Sequence, residues 1–377
     1  MNRKEKRTRL KQPCHCGSGV RYDKCHYRRD NVAQGAIRIF QEKVNTRELF
    51  IGNHGHIRKP QLLKMGDRHI VTIGNQIFQQ INPGPYNFVN AIIDCALHVF
   101  GDIFLEAEEN KPFEDRHPAI QWLHAYSDHH NNTLAREDAK PEDFQFGIGA
   151  AWIRLAYDLY TIRDNAELQE IMCKRILNPD TFQAARHELW VAALFVAAGF
   201  EINFENESDN SKRHPEFIAM EKETGIEVAV EAKSRRRQGI KGFTGGNPFT
   251  KADKVGARGL VLDAYKKSGD IPLYVFIDVN LPPAPEEQQQ AWFQELDDMM
   301  NDLAVEGYYD PCPAHAIFFH NDPSHFIDRL ISNDTDKLWI KHYEDKNPDK
   351  LFPENIVQRI MTAHNQRAIP PENVPDF

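Results

Sequence analysis

The stretch HPEFIAMEKETGIEVAVEAK, His214 to Lys233, decides the fold. Ile226, Val228, Val230 and Ala232 alternate with Glu227, Ala229, Glu231 and Lys233, the two-residue period of a strand with one buried face. The preceding run alternates as well, with Pro215, Phe217 and Ala219 on one side and His214, Glu216, Ile218 and Met220 on the other. Lys222-Glu223-Thr224-Gly225 lies between them and supplies a glycine for a turn that needs positive φ. The stretch therefore predicts a β-hairpin. If Glu221 faces Ile226, Glu216 falls opposite Glu231; if Thr224-Gly225 is the turn, Glu216 faces Lys233. Both registers leave His214, Glu216, Glu231 and Lys233 on one face, because only a one-residue slip flips a strand. Phe217, Val228 and Val230 then face a core.

Directly opposed side chains in a sheet stand about 4.5–5.5 Å apart at Cβ, and two carboxylates at that distance repel. A cation between them removes the repulsion. Hard divalent ions such as Mg²⁺ take carboxylate oxygens and keep several waters. A lysine on the same face can stabilise developing negative charge or help to position a water.

At these residues the chain resembles the restriction-endonuclease-like, PD-(D/E)xK nuclease superfamily. Pro215-Glu216 stands for the family's Pro-Asp, with Glu in place of Asp, and Glu231-Ala232-Lys233 stands for (D/E)xK. The resemblance implies that Glu216 and Glu231 bind a catalytic Mg²⁺ or Mn²⁺ and that Lys233 assists the attacking water. The longer Glu216 side chain sets its carboxylate further out and bears on metal affinity or activity. Many nucleases of that fold also place an acid on the first helix, close to the metal. Glu188 is the candidate, in a helix predicted from the Asn178-Pro179-Asp180-Thr181 cap cluster to Gly199. That helix is polar at Gln183, Arg186, His187 and Glu188 and apolar almost all round afterwards; the alternative for Glu188 is a solvent-exposed helix residue. Beyond Lys233 the chain turns basic and glycine-rich. Arg235, Arg236, Arg237 and Lys241 are placed to grip phosphates if the preceding residues form the site.

Outward from the hairpin, Phe200–Glu205 alternates as a strand, Leu273–Val279 and Ala314–His320 read as buried strands, and Glu286–Val305 reads as an amphipathic helix. Helix, three strands, then further strands and helices predict an α/β class. The expected architecture is a mixed-sheet α/β sandwich, restriction-endonuclease-like by the resemblance. Upstream, residues 31–46 suggest a short helix and 55–80 a small β element. Helices are expected over Phe88–Glu108, Pro118–His130, Phe146–Arg163 and Ala166–Leu177. His124, His129 and His130 read as polar residues at a helix end. The last 55 or so residues are polar with scattered aromatics. The expected organisation is residues 1–30, a basic tail with a metal module; 31–165, mostly helical with the small β element; 166–325, the nuclease-like domain; and 326–377, a C-terminal extension.

At the N-terminus, Cys14-His15-Cys16 is followed by Gly17-Ser18-Gly19 and, further on, by Cys25-His26. Three thiolates and an imidazole make the Cys₃His set of a tetrahedral structural Zn²⁺ site, with Cys14, Cys16, Cys25 and His26 as ligands and His15 as a substitute. So short a stretch builds no core, so the ion would supply its folding energy. The spacing, the Gly-Ser-Gly and the aromatic-x-Lys before the third cysteine resemble the SEC-C motif found at the tail of the translocase ATPase SecA and in many other bacterial proteins. The resemblance covers about 20 residues and implies a structural zinc module that docks on a macromolecule. Cys95, Cys173 and Cys312 are scattered and read as small core residues.

The net charge of −9 conceals an asymmetry: residues 1–30 hold ten Lys or Arg against three acids. A basic head on an acidic body points to an acidic partner such as nucleic acid. Neither a membrane-spanning apolar run nor a secretory signal is seen, so a cytoplasmic location is expected. Two functions remain open at this point: a metal-dependent nuclease, on DNA in the first instance, with the zinc module used in targeting; or a non-catalytic adaptor for nucleic acid or protein that keeps the nuclease fold and zinc module.

Overall fold

A computed structural model of the chain describes residues 10–16, 18–58, 61–65, 68–74, 76–80, 86–140, 147–166, 168–205, 214–222, 224–237, 247, 249–308, 312–326, 336–343 and 355–367. The chain divides into two compact units, Met1–Asn53 and His54–Phe377. In the first, a Pro13–Arg21 bridge closes a loop that leads into a short helix, α1 (Tyr22–Cys25), and then into α2 (Tyr27–His54), which runs to the border of the units. The short helix expected over 31–46 is thus the middle of a much longer one.

The second unit opens with an antiparallel meander, β1 (Gln61–Met65), β2 (Arg68–Ile73) and β3 (Gln76–Gln80). Gly74 at the β2–β3 turn has φ +58°, and its N–H donates to Asp164 Oδ1 at 2.6 Å. Four helices follow: α3 (Phe88–Phe100), α4 (Asp102–Glu109), α5 (Pro118–Leu134) and α6 (Gly147–Asn165). Asn87 caps α3 through a reciprocal pair with Asn90, each bond 2.9 Å, which satisfies two donors at the helix start. The sequence suggested one helix from Phe88 to Glu108. Gly101, at φ +76° and ψ +147°, breaks it, and the two halves meet at 85°. Among the described residues no single helix is long and apolar enough to cross a membrane.

Next come α7 (Glu170–Leu177) and α8 (Phe182–Ala197), then a six-stranded mixed sheet. Its strands are β4 (Phe200–Phe204), β5 (Phe217–Glu221), β6 (Glu227–Ser234), β7 (Leu273–Asp278), β8 (Ala316–Asn321) and β9 (Lys337–Tyr343), hydrogen-bonded in that spatial order. β4, β5 and β6 are antiparallel, β6, β7 and β8 parallel, and β9 antiparallel to β8. The class expected from the sequence, α/β with a mixed sheet, is present.

Both faces of the sheet are covered. Phe195 of α8 packs on Phe200, Phe217 and Phe276 with ring centroids 5.4, 5.6 and 5.7 Å apart. On the other face α9 (Arg258–Tyr265) and α10 (Glu286–Val305) bring Val261, Trp292 and Leu296 onto Val275, Ile277, Ile317 and Phe319. Full burial of each such side chain contributes about 1.5–3 kcal/mol. α8 is buried along its whole length, including the half that reads as polar: Gln183, Arg186, His187 and Glu188 are at most 6% exposed. Gly199, at φ +92°, ends it as expected, but Thr181 donates back to the carbonyls of Arg175 and Asn178 and does not cap α8.

The stretch expected as a polar C-terminal extension supplies β9 and α11 (Asn355–Arg367). Arg359 of α11 donates to the Ala198 carbonyl and pairs with Glu221, and Arg367 pairs with Asp158 at 2.6 Å.

Candidate active site and metal module

The hairpin takes the first of the two registers. Phe217 pairs with Val230 and Met220 with Glu227, and the Glu221 N–H closes on the Ile226 carbonyl at 2.9 Å. Gly225 carries φ +70° at the turn. At the far end the Glu216 N–H donates to the carbonyl of Val230, the residue already paired with Phe217. Two residues of one strand thus face one of the next, the signature of a β-bulge, which re-aims a side chain at a sheet end. Phe217, Val228 and Val230 are fully buried, as a core face requires.

The acidic face is buried too. Glu231 pairs in register with Val275, whose side chain lies in the core beneath α9 and α10, and it has no exposed surface. Lys233 Nζ stands 2.5 Å from Glu231 Oε1 and 3.4 Å from Glu216 Oε1. Beyond that ion pair neither Glu231 oxygen has a hydrogen-bond partner. Glu188 reaches in from α8: Arg175 of α7 donates to its Oε1 at 2.5 Å, and its Oε2 is buried without a partner. A small cleft beside Glu188 and Glu216 is walled by Met172, Phe204 and Phe217. Glu216, Glu231 and Lys233 therefore come together, and Glu188 joins them only on the Glu216 side, where both line the cleft; the reading of Glu188 as a solvent-exposed residue does not apply. His214 turns to Glu205, 3.1 Å away, and its carbonyl accepts from Lys267.

Burial pushes the Glu231 carboxyl up to about 7, with Lys233 opposing and Glu216 adding to the rise. Burial, then the charge of Glu216, pushes Glu188 up to about 7 as well, against the pull of Arg175 and Lys233. Burial opposes the charge on Lys233, but Glu231 and Glu216 outweigh it and hold its pKa above the ordinary value. Two buried carboxyls near neutrality beside a third acid are what a site short of positive charge shows. The unpartnered Oε2 atoms of Glu188 and Glu231 are the donor type a hard divalent ion takes. The three carboxylates do not close to within 4.8 Å of one another as the N-terminal ligand set does, and Lys233 occupies the space between Glu216 and Glu231.

The basic run behind Lys233 divides three ways. Arg236 is exposed and lies 3.6 Å from Asp180. Arg235 is half-buried, with its guanidinium on the Lys254 carbonyl. Arg237, expected to grip phosphate, is 5% exposed and donates to the carbonyls of Asn280 and Thr250, while its own backbone N–H and C=O are both bonded to the Gln183 side chain. It is a strut that ties the loop to α8 and to the end of β7. Lys241 lies outside the described residues.

In the N-terminal unit the Cys14 N–H donates to the Val20 carbonyl and the Tyr22 N–H to the Gln12 carbonyl, both at 2.8 Å. These bonds fold the chain back, so Cys14, Cys16, Cys25 and His26 converge, with all four ligand atoms within 4.8 Å of one another. Cys14 Sγ and Cys25 Sγ lie 3.2 and 3.1 Å from His26 Nδ1, and Cys16 Sγ lies 3.6 Å from Cys25 Sγ. Bond lengths of about 2.0–2.3 Å around a tetrahedral ion set neighbouring donors about 3.3–3.8 Å apart, close to these distances. The four residues could hold a metal ion. Ser18, through its hydroxyl and backbone, holds the Cys16 thiol down to about 6, which favours the thiolate that a metal needs. The His15 ring lies 5.3 Å from that of His26, tilted by 48°, instead of joining the set.

No family, no curated protein and no solved structure matches the chain. The site residues that the sequence concealed are Arg175, Lys267 and the Gln183–Asn280 support of the loop. Arg175 ends one helix thirteen positions before Glu188 on the next, a spacing with no signature of its own.

Proposed function

We propose that the second unit is a metal-dependent nuclease of the PD-(D/E)xK kind, hydrolysing nucleic-acid phosphodiesters, DNA in the first instance. The observation that carries this reading is Glu231, a fully buried carboxylate whose Oε1 meets Lys233 and whose Oε2 has no partner, sharing that one lysine with Glu216. Glu216 and Glu231 would hold Mg²⁺ or Mn²⁺, which when bound lowers the pKa of its water and neutralises phosphate charge.

The roles of the protein's own groups follow from their protonation. Lys233 stays charged between its two acids, so it is no general base; it orients water or stabilises charge developing on the phosphate oxygens. Glu188, near neutrality and open to the cleft, is suited to take a proton there. Arg236, exposed, and Arg235 at its edge would meet the substrate phosphates, the role that the sequence also gives to Lys241. The Cys₃His module takes structural Zn²⁺ as a SEC-C-like element, and with its basic surroundings it docks on nucleic acid or on a protein partner.

The test is cleavage of plasmid and of labelled single- and double-stranded DNA and RNA oligonucleotides by the purified full chain with Mg²⁺ or Mn²⁺. Lys233→Ala is expected to remove the activity while circular dichroism stays unchanged. Cleavage that survives the substitution rejects the reading. Binding without cleavage by the unmodified chain would leave the adaptor role in its place.

A further inference from the structure

Away from the nuclease-like site, three side chains of the second unit meet where β8, β9 and α11 come together. His320 Nε2 lies 3.0 Å from Asp336 Oδ1, and His364 Nε2 lies 3.3 Å from the same oxygen. The three donor atoms are all within 4.8 Å of one another, and the side chains are 4%, 8% and 8% exposed. The rings are held in place from outside the trio. Trp190 of α8 stacks on His320 at 3.8 Å and 14° and meets His364 edge-on at 6.1 Å. Arg154 approaches the other Asp336 oxygen at 3.6 Å, leaving Oδ1 to the imidazoles. Neither Nδ1 has a hydrogen-bond partner, so each ring commits only the nitrogen aimed at Oδ1.

We propose that His320, Asp336 and His364 form a second metal site, for a divalent first-row transition ion with zinc the first choice. Two imidazoles and a carboxylate suit zinc and its neighbours better than magnesium, which favours an all-oxygen shell. Donors at about 2.0–2.2 Å from a tetrahedral ion stand about 3.3–3.6 Å apart; the His364–Asp336 separation of 3.3 Å matches this, and the His320–Asp336 separation of 3.0 Å is a few tenths of an ångström short of it. Arg154 acts in the outer shell by orienting the carboxylate, and Trp190 fixes the ring planes. The site is buried, so its role is structural: the ion would fasten β9 and α11 to the end of β8, across separations of 16 and 28 residues.

The test uses the full chain with Cys14, Cys16 and Cys25 all changed to Ser, loaded with zinc or cobalt and then desalted. One ion per chain is expected, with cobalt d–d absorption that lacks thiolate-to-cobalt charge transfer. The melting temperature is expected to rise on loading. His320→Gln or His364→Gln in the same background should abolish both the bound ion and the rise. If the triple-Ser chain keeps neither ion and its melting temperature ignores added metal, the proposal is overturned. The trio is then a hydrogen-bonded network, already neutral because Asp322 and Asp336 match Arg154 and Arg186. Each readout is independent of cleavage and of Glu231.

Discussion

Replacing Glu231 by Gln is expected to stabilise the metal-free protein at pH 8 and to do much less at pH 5. The carboxyl titrates near 7 in the folded chain against an ordinary value near 4.5, so it is held neutral where the unfolded chain ionises. Below the unfolded value both states carry the proton and the group contributes nothing. As pH rises from about 4.5 to 7 the unfolded state is progressively favoured, and above 7 the full cost remains. A shift of that size costs about 3 kcal/mol. Gln keeps the shape without the charge, but Lys233 loses one of its two acidic neighbours, so a net gain of about 1–2 kcal/mol at pH 8 is the working figure. Urea unfolding of both proteins at pH 5 and pH 8, without divalent ions, measures it. A difference that is the same at both pH values, or a variant weaker at pH 8 than at pH 5, refutes the account of a strained buried acid.

Other consequences can be measured directly. Mg²⁺ or Mn²⁺ binding at the carboxylates must displace protons from groups near 7, so affinity should rise about tenfold per displaced proton between pH 6 and 8 by calorimetry; a flat profile would count against Glu188 and Glu231. Gly55→Ala puts a Cβ 2.6 Å from the Ala197 carbonyl at φ +76°, backbone against backbone, and should lower stability by about 1–3 kcal/mol in urea unfolding. Chelation, or Cys16→Ser, should speed hydrogen exchange at the Cys14 and Tyr22 amides, whose bonds close the N-terminal loop.

The hairpin was legible because its alternation is uninterrupted and its turn length leaves few registers; the Glu221–Ile226 closure fixes the register as far as Phe217, and the bulge at Glu216, which alternation does not reveal, decides where that side chain goes. The four N-terminal ligands were legible because metal geometry constrains spacing directly. The burial of Glu231 and Glu188 was not. Alternation marks one face as polar but does not reveal that α9 and α10 cover that face, and the polar half of α8 reads as solvent-facing although α6 and α7 pack around that helix. β9 gives little signal in sequence because Lys337 and Lys341 confine its apolar run to Leu338-Trp339-Ile340, the composition of a strand at a sheet edge. Arg237 misled for a related reason: three adjacent arginines look alike in sequence, and only the fold shows which of them points inward.

The position of β9 also bears on how the chain is made. β8 is buried on both faces, and its outer edge has no partner until residues 337–343 have emerged from the ribosome. During synthesis that edge, with Phe318 and Phe319 on it, is a template for another strand, so nascent chains that have brought β8 out of the ribosome while β9 is still inside it are the species a holdase would bind.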